Sequence, residues 1–172
     1  MLQYQKNFKQ YLNDLSAKKP APGGGSAAAL SFCLGAALIE KAMNYSCDKT
    51  PPLKKEINVL RKLRNSIAGY IDKDGEIFAK FMKAEGKKRL YLLDKSNELV
   101  SSLGDACMKG LCLAKKVESG IKKSIISDFY IGLHFINISL GACVLNLEAN
   151  SRVLGKNNKR IAIFKKALGG NG

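Results

Sequence analysis

The chain is poor in the residues that build metal sites and interrupt helices. Its 172 residues include no tryptophan, one histidine and four prolines, which stand in two close pairs, Pro20 with Pro22 and Pro51 with Pro52. Because proline interrupts helices, the long stretches outside these pairs are free to be helical. A single histidine, His134, argues against a histidine-based metal centre, and we expect no metal.

The cysteines do not suggest a disulfide framework. There are five of them, an odd number, and none forms a Cys-x-x-Cys pair. Four lie within apolar helical patterns, which favours reduced core residues of a cytosolic protein over a zinc site: Cys33, Cys107, Cys112 and Cys143. Lysines at positions 6 and 9 interrupt any apolar run near the N-terminus, so we expect no signal peptide and a cytoplasmic location.

Acidic residues are half as frequent as basic ones, 14 against 29, which gives a formal net charge of +15. Such a surface attracts nucleic acid, anionic lipid or a polyanionic small molecule. No aromatic residues are interleaved with the basic clusters for base stacking, which argues against nucleic acid. A lysine-rich proteome gives the same count without any function, so the charge leaves the identity of the partner open.

Helical periodicity dominates the chain. No segment alternates between apolar and polar residues over a useful length, which argues against a sheet. The apolar spacing predicts helices over residues 2–15, 26–45, 51–83 with bends at Gly69 and Gly75, 96–117, from Ser124 or Ser127 to about 154, and 161–168. We predict an all-α, antiparallel up-and-down helical bundle that forms one domain over residues 1–172.

Residues 129–147 contain no charged side chain, and their length approaches the roughly 20 residues of a transmembrane helix. Polar residues within this stretch, and the flanking Asp128 and Glu148, favour a buried central helix in a soluble protein. An integral membrane protein is the alternative. This helix and the helix predicted over residues 26–45 are both poor in charge. Two such helices are hard to bury in one small bundle, so we expect at least a homodimer.

Residues 20–29 combine two prolines, three glycines and an alanine run. Glycine lets the backbone approach another group closely, and Ser26 stands where an N-cap would precede a helix. The pattern predicts unpaired backbone N–H groups at a helix N-terminus, a place suited to a carboxylate or a phosphate, formed by Gly23, Gly24, Gly25 and Ser26. A flexible turn between two helices is the alternative.

The string PAPGGGSAAALSFCLGAALIEKAMN, residues 20–44, resembles the signature of the cyclodeaminase family, the C-terminal domain of formiminotransferase-cyclodeaminase and its stand-alone bacterial relatives. Residues 71–78, IDKDGEIF, look like the family's Asp-x-Asp-x-x-x-Phe helix. Residues 124–128, SIISD, and the later Asn146 and Asn150 look like its Ile-Ser-Asp segment and Asn-x-x-x-Asn. The resemblance implies a formiminotetrahydrofolate cyclodeaminase or a methenyltetrahydrofolate cyclohydrolase.

The resemblance implies that Asp128 and Asp74 are the catalytic residues. Asp128 would lie in the first turn of a helix, where the dipole stabilises a carboxylate by roughly 0.3–1 kcal/mol, as suits a base or cation stabiliser. Asp74 shares a helix face with Phe78, and a partly apolar pocket there would raise its pKa, as a general acid requires. The alternatives are a plain capping residue at 128 and a solvated helix face at 74.

The resemblance also implies that the substrate is a folate, polyglutamylated and drawn by the basic surface, with no further cofactor. The residues from Gly23 to Ser26 would bind its carboxylate end, and three asparagines would contact the heterocycle: Asn44, Asn146 and Asn150. Polar residues of this kind are also commonly satisfied by neighbouring helices.

Four residues depart from the family pattern. Phe129, Tyr130 and Leu133 stand where the family commonly has small residues, and Glu148 replaces an arginine between the late asparagines. These changes would alter the pocket and remove an anion contact. They favour a second hypothesis, a catalytically inactive helical oligomer of the same fold that binds an acidic partner or nucleic acid.

Overall fold

The computed structural model describes residues 7–47 and 53–169. Within them, seven α-helices follow one another: α1 (Phe8–Ser16), α2 (Gly24–Ser46), α3 (Leu53–Ala68), α4 (Tyr70–Met82), α5 (Gly86–Val117), α6 (Ile126–Leu154) and α7 (Lys159–Gly169). Two short 3₁₀ turns, Glu118–Gly120 and Lys123–Ile125, join α5 to α6. The described residues include no strand, and the predicted all-α fold is confirmed.

Helices α2 and α6 run antiparallel through the centre of the bundle and touch backbone to backbone. A Cβ atom at Gly35 would lie 2.6 Å from the carbonyl oxygen of Gly132, and one at Gly132 would lie 2.8 Å from that of Gly35. Nearby, the Ser139 hydroxyl donates a hydrogen bond to the Ala28 carbonyl at 2.8 Å. Only glycine fits at this crossing, which explains why the sequence keeps small residues in both helices.

Polar contacts fix how the other helices lie against this pair. Tyr130 of α6 donates a hydrogen bond to Glu118, just after α5, and Asn150 donates to Asn97 near the start of α5. Because these contacts join opposite ends, α5 is antiparallel to α6. Glu40 of α2 accepts hydrogen bonds from two arginines of α3, Arg61 at 2.7 Å and Arg64 at 3.2 Å.

One continuous apolar core extends from Tyr11 in α1 to Phe164 in α7. Cys107 and Cys143 are buried in it, as predicted. The prediction was wrong for Cys112, which is exposed because it lies on the outer side of α5, and Cys33 is half-buried. His134 is exposed on α6.

Helix boundaries differ from the prediction in three places. The helix predicted over residues 51–83 is divided at Gly69 into α3 and α4, whereas Gly75 lies inside α4. Helix α5 begins at Gly86, ten residues early, because Leu92 and Leu93 pack against Phe81 in a small second cluster. Neither predicted serine caps α6, since its N-cap is Ile125 with no side-chain cap. Residues 2–6, 51 and 52 of predicted helices lie outside the described residues.

Two helical segments are long and apolar enough to cross a membrane: Gly24–Ser46 and Lys123–Leu154, with mean hydropathies of 1.4 and 1.5. A core helix of a soluble bundle meets the same criterion, and these two pack on each other. The second segment is only 39% buried in its most apolar window, against 61% for the first. Its uncovered side carries a row of apolar side chains, Ile131, Ile138 and Leu145.

Candidate functional site

The proline and glycine segment ends at the N-terminus of α2. The N-cap is Gly23, in an extended conformation, and the helix begins at Gly24. The expectation that Ser26 caps the helix was therefore wrong. Ser26 is buried in the first turn, and its hydroxyl donates a hydrogen bond to the Ile71 carbonyl of α4 at 2.6 Å. This bond ties the start of α2 to α4.

Asp74 of α4 faces the free N–H groups at this helix N-terminus. Its carboxylate accepts a hydrogen bond from the Ser26 N–H at 3.0 Å. A Cβ atom at Gly25 would overlap the carboxylate, so the glycine makes room for it. The anion that the glycine segment holds in the folded chain is thus a side chain of the same protein.

Two features of the surroundings of Asp74 shift the pKa of its carboxyl in opposite directions. Burial raises the pKa of the Asp74 carboxyl above its usual range, and the hydrogen bond from the Ser26 backbone lowers it by less. The pKa is therefore raised, as was expected for a general acid. Tyr11 of α1 lies on the other side of Ser26, with its hydroxyl 3.3 Å from the Ser26 hydroxyl, and burial raises the pKa of Tyr11 too.

Asn146 reaches the same end of α2, whereas Asn150 is engaged elsewhere. A Cβ atom at Gly24 would lie 3.9 Å from the Asn146 side-chain oxygen. The Asn150 amide donates hydrogen bonds to Asn97 at 2.9 Å and to Ser96 at 3.3 Å, both in α5. Of the two late asparagines, Asn146 is the one placed beside the glycine segment, at Gly24, next to the residue that meets Asp74.

Asp128 lies in the first turn of α6, as the sequence predicts. Its carboxylate accepts a hydrogen bond from the Lys41 ammonium at 2.6 Å, and this contact raises the pKa of Lys41. Asn44, three residues further along α2, is exposed on a similar side of the helix. Sequence reasoning missed Lys41, although it stands in the quoted string three residues before Asn44.

The chain does not bring Asp74 and Asp128 together. Asp74 contacts α2 at Gly25, and Asp128 contacts it at Lys41. With a rise of 1.5 Å per residue, sixteen residues of helix separate these two contacts by about 24 Å. We call the first the glycine end and the second the lysine end of α2. Neither end has a metal-ligand cluster. Among the described residues, no three histidine, cysteine or acidic side chains are grouped so that they could hold a metal ion.

Three of the four residues that depart from the family pattern have defined contacts in the fold. Phe129 is fully buried in the core. Tyr130 donates its hydroxyl to Glu118 at 2.7 Å. Glu148 forms an ion pair with Lys165 of α7 at 2.6 Å, and Lys165 lowers the pKa of Glu148. Since these contacts hold helices together, the three residues do not in themselves indicate a lost active site.

Comparison with known proteins establishes the family of the chain. The family model described as formiminotransferase-cyclodeaminase matches residues 7–167. This chain belongs to that family. Over 166 residues it is 28% identical to a methenyltetrahydrofolate cyclohydrolase of Methylorubrum extorquens, which covers 86% of this chain and 80% of the relative.

The fold of this family member is also similar to a solved structure. It matches the crystal structure of formiminotetrahydrofolate cyclodeaminase from Thermotoga maritima with a TM-score of 0.80 at 19% sequence identity. The match covers 94% of this chain and 84% of that one. The likeness confirms the helical fold.

The contact between Gly25 and Asp74 predicts a loss of stability when Gly25 gains a side chain. In Gly25→Ala the new Cβ overlaps a carboxylate held by backbone and burial, so we expect unfolding to become easier by about 1–3 kcal/mol. Gly23→Ala is the matched control, because a Cβ there meets nothing within 4 Å. Urea unfolding of both variants tests this, and equal stability of the two would contradict the contact.

Proposed function

We propose that this protein is a one-carbon tetrahydrofolate enzyme, either a formiminotetrahydrofolate cyclodeaminase or a methenyltetrahydrofolate cyclohydrolase. In the first reaction the second folate nitrogen attacks the formimino carbon, and ammonia leaves. In the second, water attacks the methenyl carbon, and the ring opens to the formyl product. Both reactions need a base, a proton donor and a group that stabilises a cationic carbon. Family membership and the cyclohydrolase relative support this proposal.

The observation that carries the proposal is the partly buried Asp74 carboxyl at the glycine end. A carboxyl with a raised pKa holds its proton to a higher pH than an exposed aspartate does, so it is suited to protonating a leaving group. Asn146 lies at the same end of α2 and offers an amide to a folate heterocycle. Asp74 is the general acid in this proposal.

Asp128 is the base or cation stabiliser, and it acts from a second copy of the chain. Within one chain the lysine end lies about 24 Å from the glycine end, too far for both carboxylates to reach one carbon. A homodimer that pairs the lysine end of one copy with the glycine end of the other resolves this separation. Asn44, beside Lys41, then belongs to the same composite site.

The uncovered side of α6 fits such a dimer. Ile131, Ile138 and Leu145 recur every seven residues and are 47%, 62% and 68% exposed, a row that water would otherwise cover. Leu34 of α2 extends the row sideways. We call this surface, formed by the four residues, the α2–α6 face.

The position of Ile138 along α6 determines where the twofold axis of the proposed dimer would pass. Asp128 lies ten residues before it on α6, and Asn146 lies eight residues after it. A twofold axis near Ile138, perpendicular to α6, therefore exchanges the two ends and brings Asp128 of one copy toward Asn146 of the other. Two equivalent sites form in each dimer, and each takes its acid and its base from different copies.

The folate tail and the location of the enzyme belong to the same proposal. Exposed lysines give the chain its net charge of +15, which attracts a polyglutamylated substrate through its carboxylates. Free cysteines suit the reducing cytoplasm, where we place the protein.

The test of this function is the ultraviolet absorbance of methenyltetrahydrofolate with and without the purified protein, at a pH where spontaneous hydrolysis is slow. Enzyme-dependent loss of absorbance identifies the cyclohydrolase. If none occurs, release of ammonia from formiminotetrahydrofolate identifies the cyclodeaminase. Absence of both activities in a folded, dimeric sample would overturn the proposal.

A further inference from the structure

A groove between α3 and α5 carries two pairs of facing lysines. On α3, Lys55 and Lys62 are seven residues apart, and on α5 Lys109 and Lys116 have the same spacing. All four line a cavity of about 730 Å³, and all four are exposed. None of them forms an ion pair within the described part of the chain.

The helix orientation sets the lysines opposite one another. Helix α3 is antiparallel to α2, because Arg61 contacts Glu40 whereas the later Arg64 also contacts the earlier Cys33. Helix α6 is antiparallel to α2 as well, and α5 is antiparallel to α6, so α3 and α5 run antiparallel. A Cβ atom at Gly110 would lie 3.9 Å from Leu60, which fixes the register. In that register Lys62 is level with Lys109 and Lys55 with Lys116. Seven residues of helix separate the two levels by about 10 Å.

The floor of the groove carries apolar side chains, and one acidic residue also lines the groove. Val59 and Leu113 lie between the two lysine levels, Leu63 lies one residue beyond Lys62, and Val59 is 44% exposed. Glu56 also lines the groove, and one oxygen of its carboxylate is buried without a hydrogen-bond partner. A buried carboxylate oxygen without a donor is costly, so an occupant that brings an N–H group here is favoured.

We propose that this groove binds an amphipathic, acidic α-helix of a partner protein. Acidic side chains at positions i and i+7 of a helix stand about 10 Å apart, which matches the two lysine levels. Apolar side chains at i+3 and i+4 share that face and meet the floor. A helix seated between two others also follows the usual packing of ridges into grooves. An amide or amine donor on the same face completes the contact with Glu56.

This surface is independent of the proposed enzyme. Helices α3 and α5 form the groove, whereas α2 and α6 form the proposed dimer face, so the groove stays open in the dimer. Nucleic acid is a poorer fit, because none of the ten lining residues is aromatic and the floor is apolar.

The test is fluorescence anisotropy of a labelled synthetic peptide with the full-length protein. The peptide repeats glutamate at i and i+7 with leucine at i+3 and i+4, and a second peptide of equal composition moves one glutamate to i+5. We expect Lys62→Glu with Lys109→Glu to weaken binding of the first peptide at least about tenfold and to leave the turnover number at saturating folate unchanged. The second peptide should bind about tenfold more weakly to the unaltered protein.

The matched control is Lys87→Glu with Lys88→Glu, which makes the same change in net charge at the exposed start of α5. Equal weakening by the two double variants would show general charge attraction and overturn the proposal, as would equal binding of the two peptides. If the glutamate variant of the groove does not fold, Lys62→Gln with Lys109→Gln replaces it. An oligonucleotide that outcompetes the peptide in the groove would assign the surface to nucleic acid instead.

Discussion

Asp74→Asn is expected to lower the turnover number by about 10²–10⁴-fold, the range that a positioned acid or base contributes. Asparagine keeps the size of the side chain and can still accept the hydrogen bond from the Ser26 N–H. It cannot give up a proton to a leaving group. The loss therefore falls on the chemical step, and the Michaelis constant should change far less than the turnover number.

The control for Asp74 is Asp72→Asn, which removes the same charge from the same helix. Residues two apart on a helix point in roughly opposite directions, so Asp72 does not share the face of Asp74. Steady-state kinetics of both variants separates the role of Asp74 from a general effect of charge. Full turnover in a folded Asp74→Asn protein would remove Asp74 from the mechanism.

The pH dependence of turnover also tests whether Asp74 is the general acid, and the direction of the change is defined. A general acid works in its protonated form, so turnover should fall as pH rises through the raised pKa of Asp74. The Asp74→Asn protein should lack that descending limb in its residual activity.

Ile138→Asp is expected to separate the dimer and to abolish activity with it. Ile138 is 62% exposed in the single chain and lies at the centre of the α2–α6 face, where the twofold axis would pass. Pairing two copies would then bury two like charges against each other, so the dimer dissociation constant should rise at least about 100-fold. Activity should fall with the fraction of dimer as the enzyme is diluted below the new dissociation constant, and by a similar factor at concentrations below the original one as well.

Ile163→Asp on α7 is the matched control for Ile138, because Ile163 is an exposed isoleucine of another helix and is not one of the four residues of that face. It should remain dimeric and active. Analytical ultracentrifugation together with the absorbance assay measures both properties. A monomeric Ile138→Asp protein with full activity would show that one chain suffices for catalysis.

The fold could be predicted from the sequence because its signals are local. Helical spacing of apolar residues, and the near absence of proline, specify helices without any knowledge of their neighbours. The errors arose where tertiary contacts decide. Helix α5 begins ten residues before its predicted start because Leu92 and Leu93 pack against Phe81, a contact that the local pattern does not reveal.

In the candidate site, too, the local features could be predicted from the sequence, whereas the tertiary contacts could not. The glycine segment predicts a helix N-terminus that holds an anion, and such an end is present. The carboxylate at this helix end belongs to Asp74, 48 residues after Ser26. No local sequence pattern predicts a contact between residues so far apart in the chain. Lys41 and Asp128, which are 87 residues apart, meet for the same reason. The distance between the two ends becomes visible only when the length of α2 is known.

The most direct test of the composite site is the activity of a mixture of Asp74→Asn and Asp128→Asn proteins after subunit exchange. Each protein alone should be nearly inactive. In a hybrid dimer one site carries both substitutions and the other carries neither, so random mixing should restore about 25% of the unaltered activity. Native mass spectrometry confirms that hybrids have formed. A mixture that stays inactive although hybrids are present would contradict a site shared between two copies.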